Sequence, residues 1–338
     1  MAGRRSLLGL IVALLSMPLV RASADEMSMI FVTAEPAPSP DTVQVFKPWA
    51  QRVAAAAHGA VHIDVRDGTA IVNPINMYDR VQSDVFQIGL LIPSLVGGKF
   101  PLTDMVGLPF LTDDSVNASI AFWRLYKTGA LDAEYRDIVP LAMALFPPQG
   151  VHLVKPPASL DDLRGLRLRV VSKTGSESIA RLGGTPLVLD PGDQYASLQR
   201  GMLDGIVSSW MQMGPLHLTE VTHYHIDTSL GTGMFMVFMA RQKHDALPPA
   251  IRQAIDDNSG EPLTRAMAAT FEQRSVRSRA PVAAAPDKHT IVQLTPAQNA
   301  KWRAAVAPVL AAWTASHPGG AKLVARYRAI LAAVKAGK

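Results

Sequence analysis

LDDLRGLRLRVVSKTGSESIARLGGTPLVLDPGDQYASLQRGMLDGIVSSW, residues 160–210, decides the fold of this chain. It reads as strand, helix, strand, helix, strand. Leu166, Leu168 and Val170 face one way and Arg167 and Arg169 the other, the period-two alternation of a strand. Residues 175–182 form a helix stopped by Gly183 and Gly184, and residues 185–189 a second strand. Asp190 and Pro191 then start another helix as cap and first-turn residue, with Asp193 supporting its positive end. Tyr195, Leu198 and Met202 give that helix its apolar face. Asp204 and Gly205 turn into a last strand through Ile206 and Val207. Strands joined by helical crossovers make an α/β unit with parallel pairing.

Ligands of open α/β sheets collect at the carboxyl ends of strands, and Arg169 falls at such an end. A guanidinium donates two parallel hydrogen bonds to a planar anion, so an arginine here is a socket for a carboxylate. Arg167 shares its face, and spacing alone does not choose between them. An ion pair to Asp161 or Asp162 is the competing reading. Ser208, Ser209 and Trp210 follow the last strand at the same edge, offering hydroxyls and a broad apolar ring to a ligand; a tryptophan packed at a hinge is the alternative. Lys155, before Pro156 and Pro157, is a candidate second positive charge, against a solvated lysine.

Upstream, residues 27–32 form a short apolar strand, on which Phe31 is a further ligand-facing candidate. A stiff proline-rich loop, residues 35–40, follows. Asp41 is placed to cap a helix running to about Ala57, with Val45, Trp49 and Val53 on one face. Residues 61–65 alternate as a half-buried strand. Strand, helix, strand is the opening βαβ unit of a first α/β domain. Residues 76–81 read as a short helix, 88–92 as a strand, 114–127 as a helix and 141–146 as a buried strand ended by Pro147 and Pro148. The first crossing to a second domain belongs at that break, before a strand at 151–154. The apolar strand 234–240 returns the chain to the first domain. Helices follow at 247–258 and up to about Ala284, and a last helical set begins at residues 294–296 and runs to the carboxyl end.

The amino terminus has the form of a secretory signal: Arg4 and Arg5, an apolar stretch at 7–15, and Ala22-Ser23-Ala24 as a small-residue cleavage site. An ordinary signal and a twin-arginine signal both fit that pattern. Removing residues 1–24 strips three arginines and no acid, so 33 basic residues become 30 against 28 acidic ones and the net charge becomes +2. No basic cluster interleaves with aromatics, which argues against nucleic acid as a partner. Cysteine is absent, so thiol nucleophiles and cysteine metal sites are excluded and the core must hold without disulfides. His217, His223 and His225 are the nearest approach to a metal set, but lack a tightly spaced third ligand and acidic support; structural histidines are the simpler reading. No nucleophile turn or phosphate-binding glycine loop is present.

At residues 162–169, Asp-Leu-Arg-Gly-Leu-Arg-Leu-Arg, the chain resembles the solute-binding proteins of TRAP transporters. Leu182-Gly183-Gly184-Thr185-Pro186 and the Ala196 to Gly205 segment, with Leu198, Gly201 and Asp204, continue the pattern. So do Val45 to Ala50, Lys99-Phe100-Pro101, Gly107 to Phe110, and Leu247-Pro248 through Gly260. The resemblance implies an α/β, two-domain periplasmic binding protein fold with hinge-crossing strands and long carboxy-terminal helices. It divides the chain into residues 25–148 with 236–280 as domain I, and 149–235 with 281–338 as domain II, the ligand held in the cleft between them. The family's carboxylate-clamping arginine falls on Arg169. A family Glu-Asn pair is replaced by Val207 and Ser208, so a serine would have to serve. With Trp210, that change favours an aromatic or branched hydroxy- or keto-monocarboxylate over a sialic acid or a dicarboxylate. The implied partners are this ligand and the small and large TRAP membrane subunits. The chain is expected to be a periplasmic monomer, without cofactor, metal or catalytic activity. A binding protein of another importer or chemoreceptor, and a secreted hydrolase built on Ser208 or Ser209, are the rival readings.

Overall fold

A computed structural model describes residues 26–338 apart from Thr69, Ile71 and Asp190. The expected signal segment and the expected capping role of Asp190 lie outside the described residues. In chain order the strands are β1 Met27–Thr33, β2 Val61–Asp67, β3 Ile88–Leu91, β4 Ile138–Leu145, β5 Gly150–Leu153, β6 Arg167–Val170, β7 Thr185–Val188, β8 Gly205–Ser208, β9 Tyr224–Asp227, β10 Met234–Ala240 and β11 Thr290–Gln293. They form two sheets with helices packed on them, in the orders β2-β1-β3-β10-β4 and β11-β9-β5-β8-β6-β7. The fold is α/β, as the crossover pattern predicts.

In the first sheet β1 runs parallel to β2 and β3, while β10 runs antiparallel to β3 and β4. The register of β10 on β4 shifts between Val237 and Phe238, opposite Pro140. A proline has no amide to give a ladder, and β4 accommodates it at the sheet edge with this bulge. In the second sheet β6 is parallel to β7 and β8, and β5 is antiparallel to β8 and β9. The edge strand β11, parallel to β9, is too short and too poorly alternating to stand out in the sequence.

Two chain crossings, residues 146–149 from β4 to β5 and 228–233 from β9 to β10, run side by side. Phe146 donates its amide to the Gly233 carbonyl at 2.8 Å, and Leu230 and Gln149 exchange backbone hydrogen bonds with partners in the opposite crossing. Gly231 has φ +99, and a Cβ there would sit 2.2 Å from the Gly107 carbonyl oxygen. Only glycine fits both constraints. The long helix Glu261–Ala283 packs on β4, the helix Pro296–Ser316 lies against Lys173–Arg181, and Gly320–Lys335 lies against Ser115–Lys127. Trp302, fully buried on the second of these, donates its indole N–H to the Leu160 carbonyl at 2.9 Å.

Phe31 belongs to the core of the first sheet. Its ring centroid lies 4.8 Å from Phe46 and 5.9 Å from Trp49, and it has no exposed surface. Alternation along β1 sends Met29 and Phe31 into one cluster, with Val45 and Val53. Phe31→Ala is therefore expected to cost about 3–5 kcal/mol of unfolding free energy and leave acid affinity unchanged. Weakened binding with full stability in urea titrations would restore Phe31 to the ligand.

Candidate ligand-binding cleft

Because β1, β2 and β3 are parallel, their carboxyl ends open on one edge of the first sheet. The loops 34–36, 73–75 and 92–95 leave from that edge. In the second sheet β6, β7 and β8 are parallel as well, and the segments after β7 and β8 leave from their carboxyl edge. These two edges meet at a cavity of about 260 Å³. Ala34, Glu35, Pro36, Pro74, Ile75, Leu90, Ile92 and Phe235 line it from the first sheet's side, and Gly192, Met211, Gln212, Pro215 and Leu216 from the second. Leu95, Asn73 and Arg274 complete a lining that is mostly apolar, with a few convergent polar groups. That combination is the usual make-up of a small-molecule site.

Arg169 and Arg167, which spacing could not separate, are separated by the fold. Arg167 begins β6 at the opposite edge, exposed, and its guanidinium grips Asp204 with an Nε–Oδ2 distance of 2.9 Å. Asp161 and Asp162 pair elsewhere, with Lys301 and Arg164. Arg169 is buried to 2% exposure. Its Nε and Nη2 both donate to the Leu189 carbonyl at 3.2 Å, behind the segment whose Gly192 walls the cavity.

The segment after β8 is only partly as expected. Ser208 is fully buried, and its hydroxyl donates to Gln212 Oε1 at 3.1 Å, so it holds a cavity-lining residue. Ser209 precedes the short helix Trp210–Met213, with its hydroxyl buried and unpartnered among the described residues. Trp210 does not face the cavity. Its ring packs in a cluster with Leu198, Leu203 and Ile206, and its indole N–H donates to Asp227 Oδ1 at 2.7 Å. A polar tip with a half-buried partner draws the ring inward, and the cavity is left to Met211 and Gln212. Lys155 is not brought to the cleft either. Since β5 runs antiparallel to β8, Gly150 pairs with Ser208 at the cavity edge and Leu153 with Gly205 at the far one. Lys155 leaves from that far edge, exposed.

Asp41 does not cap its helix; its side chain makes no cap hydrogen bond, and the chain enters through a π-helical turn, Thr42–Phe46. Its carboxylate instead meets Arg274, with Nη1–Oδ2 2.6 Å, and the same Nη1 donates to Glu35 Oε1 at 2.8 Å. Ser39 donates its hydroxyl to Glu35 Oε2 at 2.6 Å. Burial, and then the charge of Glu35, push Asp41 up to about 8, with Arg274 pulling the other way. Sequence reasoning missed this group. Its one visible signal is an arginine in the buried stripe of Met267, Phe271, Ser275 and Ser278.

Of the three candidate histidines only His225 is interior, next to buried His152 and half-buried His289, while His223 is exposed. His152 Nε2 lies 3.1 Å from the Ser208 carbonyl, its Nδ1 3.0 Å from His225 Nδ1, and His225 Nε2 3.3 Å from His289 Nδ1. Since a carbonyl only accepts, His152 carries its proton on Nε2 and accepts at Nδ1. His225 then donates from Nδ1 and accepts at Nε2. Burial lowers His152 to about 4; burial, then the neighbouring His152 and His289, lower His225 to about 2. Both rings are neutral in the folded state at pH 7 but take up protons near pH 6.5 when unfolded. The unfolded state therefore binds more protons at these two sites, and their contribution to stability falls as the pH drops from about 6.5 toward 4. His225→Gln is expected to remove about 1–2 kcal/mol of the loss between pH 7 and pH 5 in urea titrations. An unchanged acid limb would refute this. His217 sits apart, paired with Glu220 at 2.9 Å.

Among the described residues no helix is long and apolar enough to cross a membrane. Residues 31–316 match the model of the DctP family, bacterial extracellular solute-binding protein family 7. The outer membrane transporter protein TsaT of Comamonas testosteroni is 25% identical over 236 residues, covering 68% of this chain and 69% of its own length. A TRAP solute-binding protein of Rhodoferax ferrireducens, solved with copurified benzoate, is similar with a TM-score of 0.84 at 24% identity, over 92% of this chain and 100% of that one. A marine metagenome TRAP solute-binding protein specific for aromatic acid ligands, solved with 3-hydroxybenzoate, gives a TM-score of 0.84 at 24% identity, over 91% and 98%. With nearly the whole described fold inside the match, the chain belongs to bacterial extracellular solute-binding protein family 7, the TRAP solute-binding proteins.

Proposed function

We propose that the chain is the periplasmic solute-binding subunit of a TRAP transporter, taking a small monocarboxylic acid with an aromatic or branched body. The observation that carries this reading is the cavity of about 260 Å³ walled by the carboxyl edges of both sheets, apolar over most of its lining. The bound benzoate and 3-hydroxybenzoate of the similar structures support it, as does a monocarboxylate 2-oxoacid-binding periplasmic protein of Nostoc sp. that is 28% identical over 162 residues.

In this reading Arg169 takes the carboxylate. Its Nε and Nη2 donate to the Leu189 carbonyl, and a carboxylate makes shorter, stronger bonds to such a fork. Domain I, residues 25–148 with 236–280, and domain II, residues 149–235 with 281–338, close about the paired crossings. Closure is a population shift that the ligand drives through contacts made only in the closed state. The closed form is then what the small and large membrane subunits receive. Binding needs no chemical step, cofactor or metal.

A thermal-shift screen of organic acids tests the proposal, with mass spectrometry of any ligand carried through purification. Aromatic monocarboxylates at a hundredfold excess over Kd are expected to add about 2.7 kcal/mol, a rise of about 5 °C or more. Stabilisation by C4-dicarboxylates alone would overturn the substrate class.

A further inference from the structure

Glu35 is an unusual residue to find on the wall of an apolar cavity that receives an anion. It is buried, lines the cavity beside Arg274, and keeps its place through Arg274 Nη1 and the Ser39 hydroxyl. A carboxylate has about four acceptor sites, and these two donors together with the protonated Asp41 beside it leave room for one more. Arg274 does not make this wall cationic, because the same guanidinium nitrogen is shared between Glu35 and Asp41. One positive charge among two carboxyl groups gives a cluster with no surplus to offer a second ligand anion. With Asp41 holding its proton, the cluster is close to neutral, so the wall presents an acceptor to the ligand and no free cation to a second carboxylate.

We propose that Glu35 is a specificity residue that accepts a hydrogen bond from a hydroxyl on the ligand's body, remote from its carboxylate, and that it turns away dicarboxylates. This rests on the reading of the cavity as the site of an aromatic monocarboxylate. The ligand class it names is the aromatic hydroxy acid. The opposing walls divide the work: the second sheet's side takes the carboxylate, the apolar middle of Leu90, Ile92, Phe235 and Leu216 takes the ring, and Glu35 reads the far substituent. Since Arg274 and Ser39 already satisfy Glu35 in part, an acid lacking the hydroxyl leaves no fully orphaned charge. The discrimination is then that of one charged hydrogen bond, about tenfold to a hundredfold in affinity. It falls short of the larger factors of sites whose polar groups go unpaired.

Calorimetric titration of the full chain, stripped of copurified ligand, with benzoate, 3-hydroxybenzoate, 4-hydroxybenzoate, isophthalate and terephthalate tests this. One hydroxybenzoate is expected to bind at least tenfold tighter than benzoate, and both diacids at least tenfold more weakly than benzoate. Glu35→Gln exchanges a charged acceptor for a neutral one and should cut the hydroxyl preference several-fold while easing the penalty on the diacids. The wild-type comparisons stand by themselves if that variant does not fold. Benzoate equal to or better than both hydroxybenzoates, or a diacid equal to benzoate, would overturn the role of Glu35 and leave the acid site intact. A full hydroxyl preference in folded Glu35→Gln would place the hydroxyl elsewhere, with the same consequence. Binding by none of the five would remove both this assignment and the substrate class it rests on.

Discussion

Arg169→Met is expected to raise the dissociation constant for the preferred acid about a hundredfold or more while the protein stays folded. Truncating one partner of a buried, hydrogen-bonded charge pair costs about 2–5 kcal/mol, or roughly thirtyfold to several thousandfold in affinity. The geometry argues for the upper part of that range. Arg169 is 2% exposed, and its Nε and Nη2 already hold a planar acceptor, the Leu189 carbonyl, at 3.2 Å. The fork is thus pre-oriented, and a carboxylate would bring charge as well as two acceptor atoms. Methionine fills much of the volume and offers neither donor nor charge. Arg167→Met is the matched control. That residue pairs with Asp204 at the exposed far edge, where ion pairs are worth about 1 kcal/mol or less, and binding should not change. Full affinity in a folded Arg169→Met protein would remove this arginine from the site.

Arg274→Leu should lower stability by about 3–5 kcal/mol, because it leaves two buried carboxyl groups without their shared cation. The deficit should grow with pH. In the wild type Asp41 is pushed up to about 8 from 3.8, first by burial. Over that window the folded state holds the proton that the unfolded state has lost. The contribution of this one group therefore declines as the pH rises from about 4 to about 8, with a limiting slope of about 1.4 kcal/mol per unit. Asp41→Asn should flatten the slope. In Arg274→Leu no cation offsets the second negative charge, so the variant should fall furthest behind wild type on the alkaline side. Urea titrations between pH 5 and pH 9 measure both slopes, and a deficit constant across that range would refute the shared-cation account.

Much of the fold was legible because its signals are local. The alternation around Arg169, the glycines after the helix Lys173–Arg181 and the apolar run of β10 each report on a few neighbouring residues. The edge on which Arg169 lies followed from the direction of β6. What misled was the fate of large side chains whose partners lie far off in sequence. Trp210 turns inward because Asp227 waits for its N–H. Phe31 turns inward because Phe46 and Trp49 occupy the helix-facing side of β1. Lys155 follows β5, and the antiparallel pairing of β5 with β8 carries it to the edge away from the cavity. Glu35, Asp41 and Arg274 gave almost no signal together, since more than two hundred residues separate the acids from the arginine.

The insertion of β10 between β3 and β4 bears on how this protein is assembled. β4 pairs with β10 and with no other strand of its sheet. A chain ending before residue 234 would hold β1, β2 and β3 as one ribbon and leave β4 with no strand partner. The first half of the polypeptide is therefore not a folding unit in its own right, although it supplies most of one sheet. Its sheet is completed only after the second sheet's strands β5 to β9 have been passed, and its charge cluster later still, when Arg274 arrives. Neither half is an interchangeable part: recombination that swaps one contiguous half for that of a relative would exchange pieces of both sheets at once.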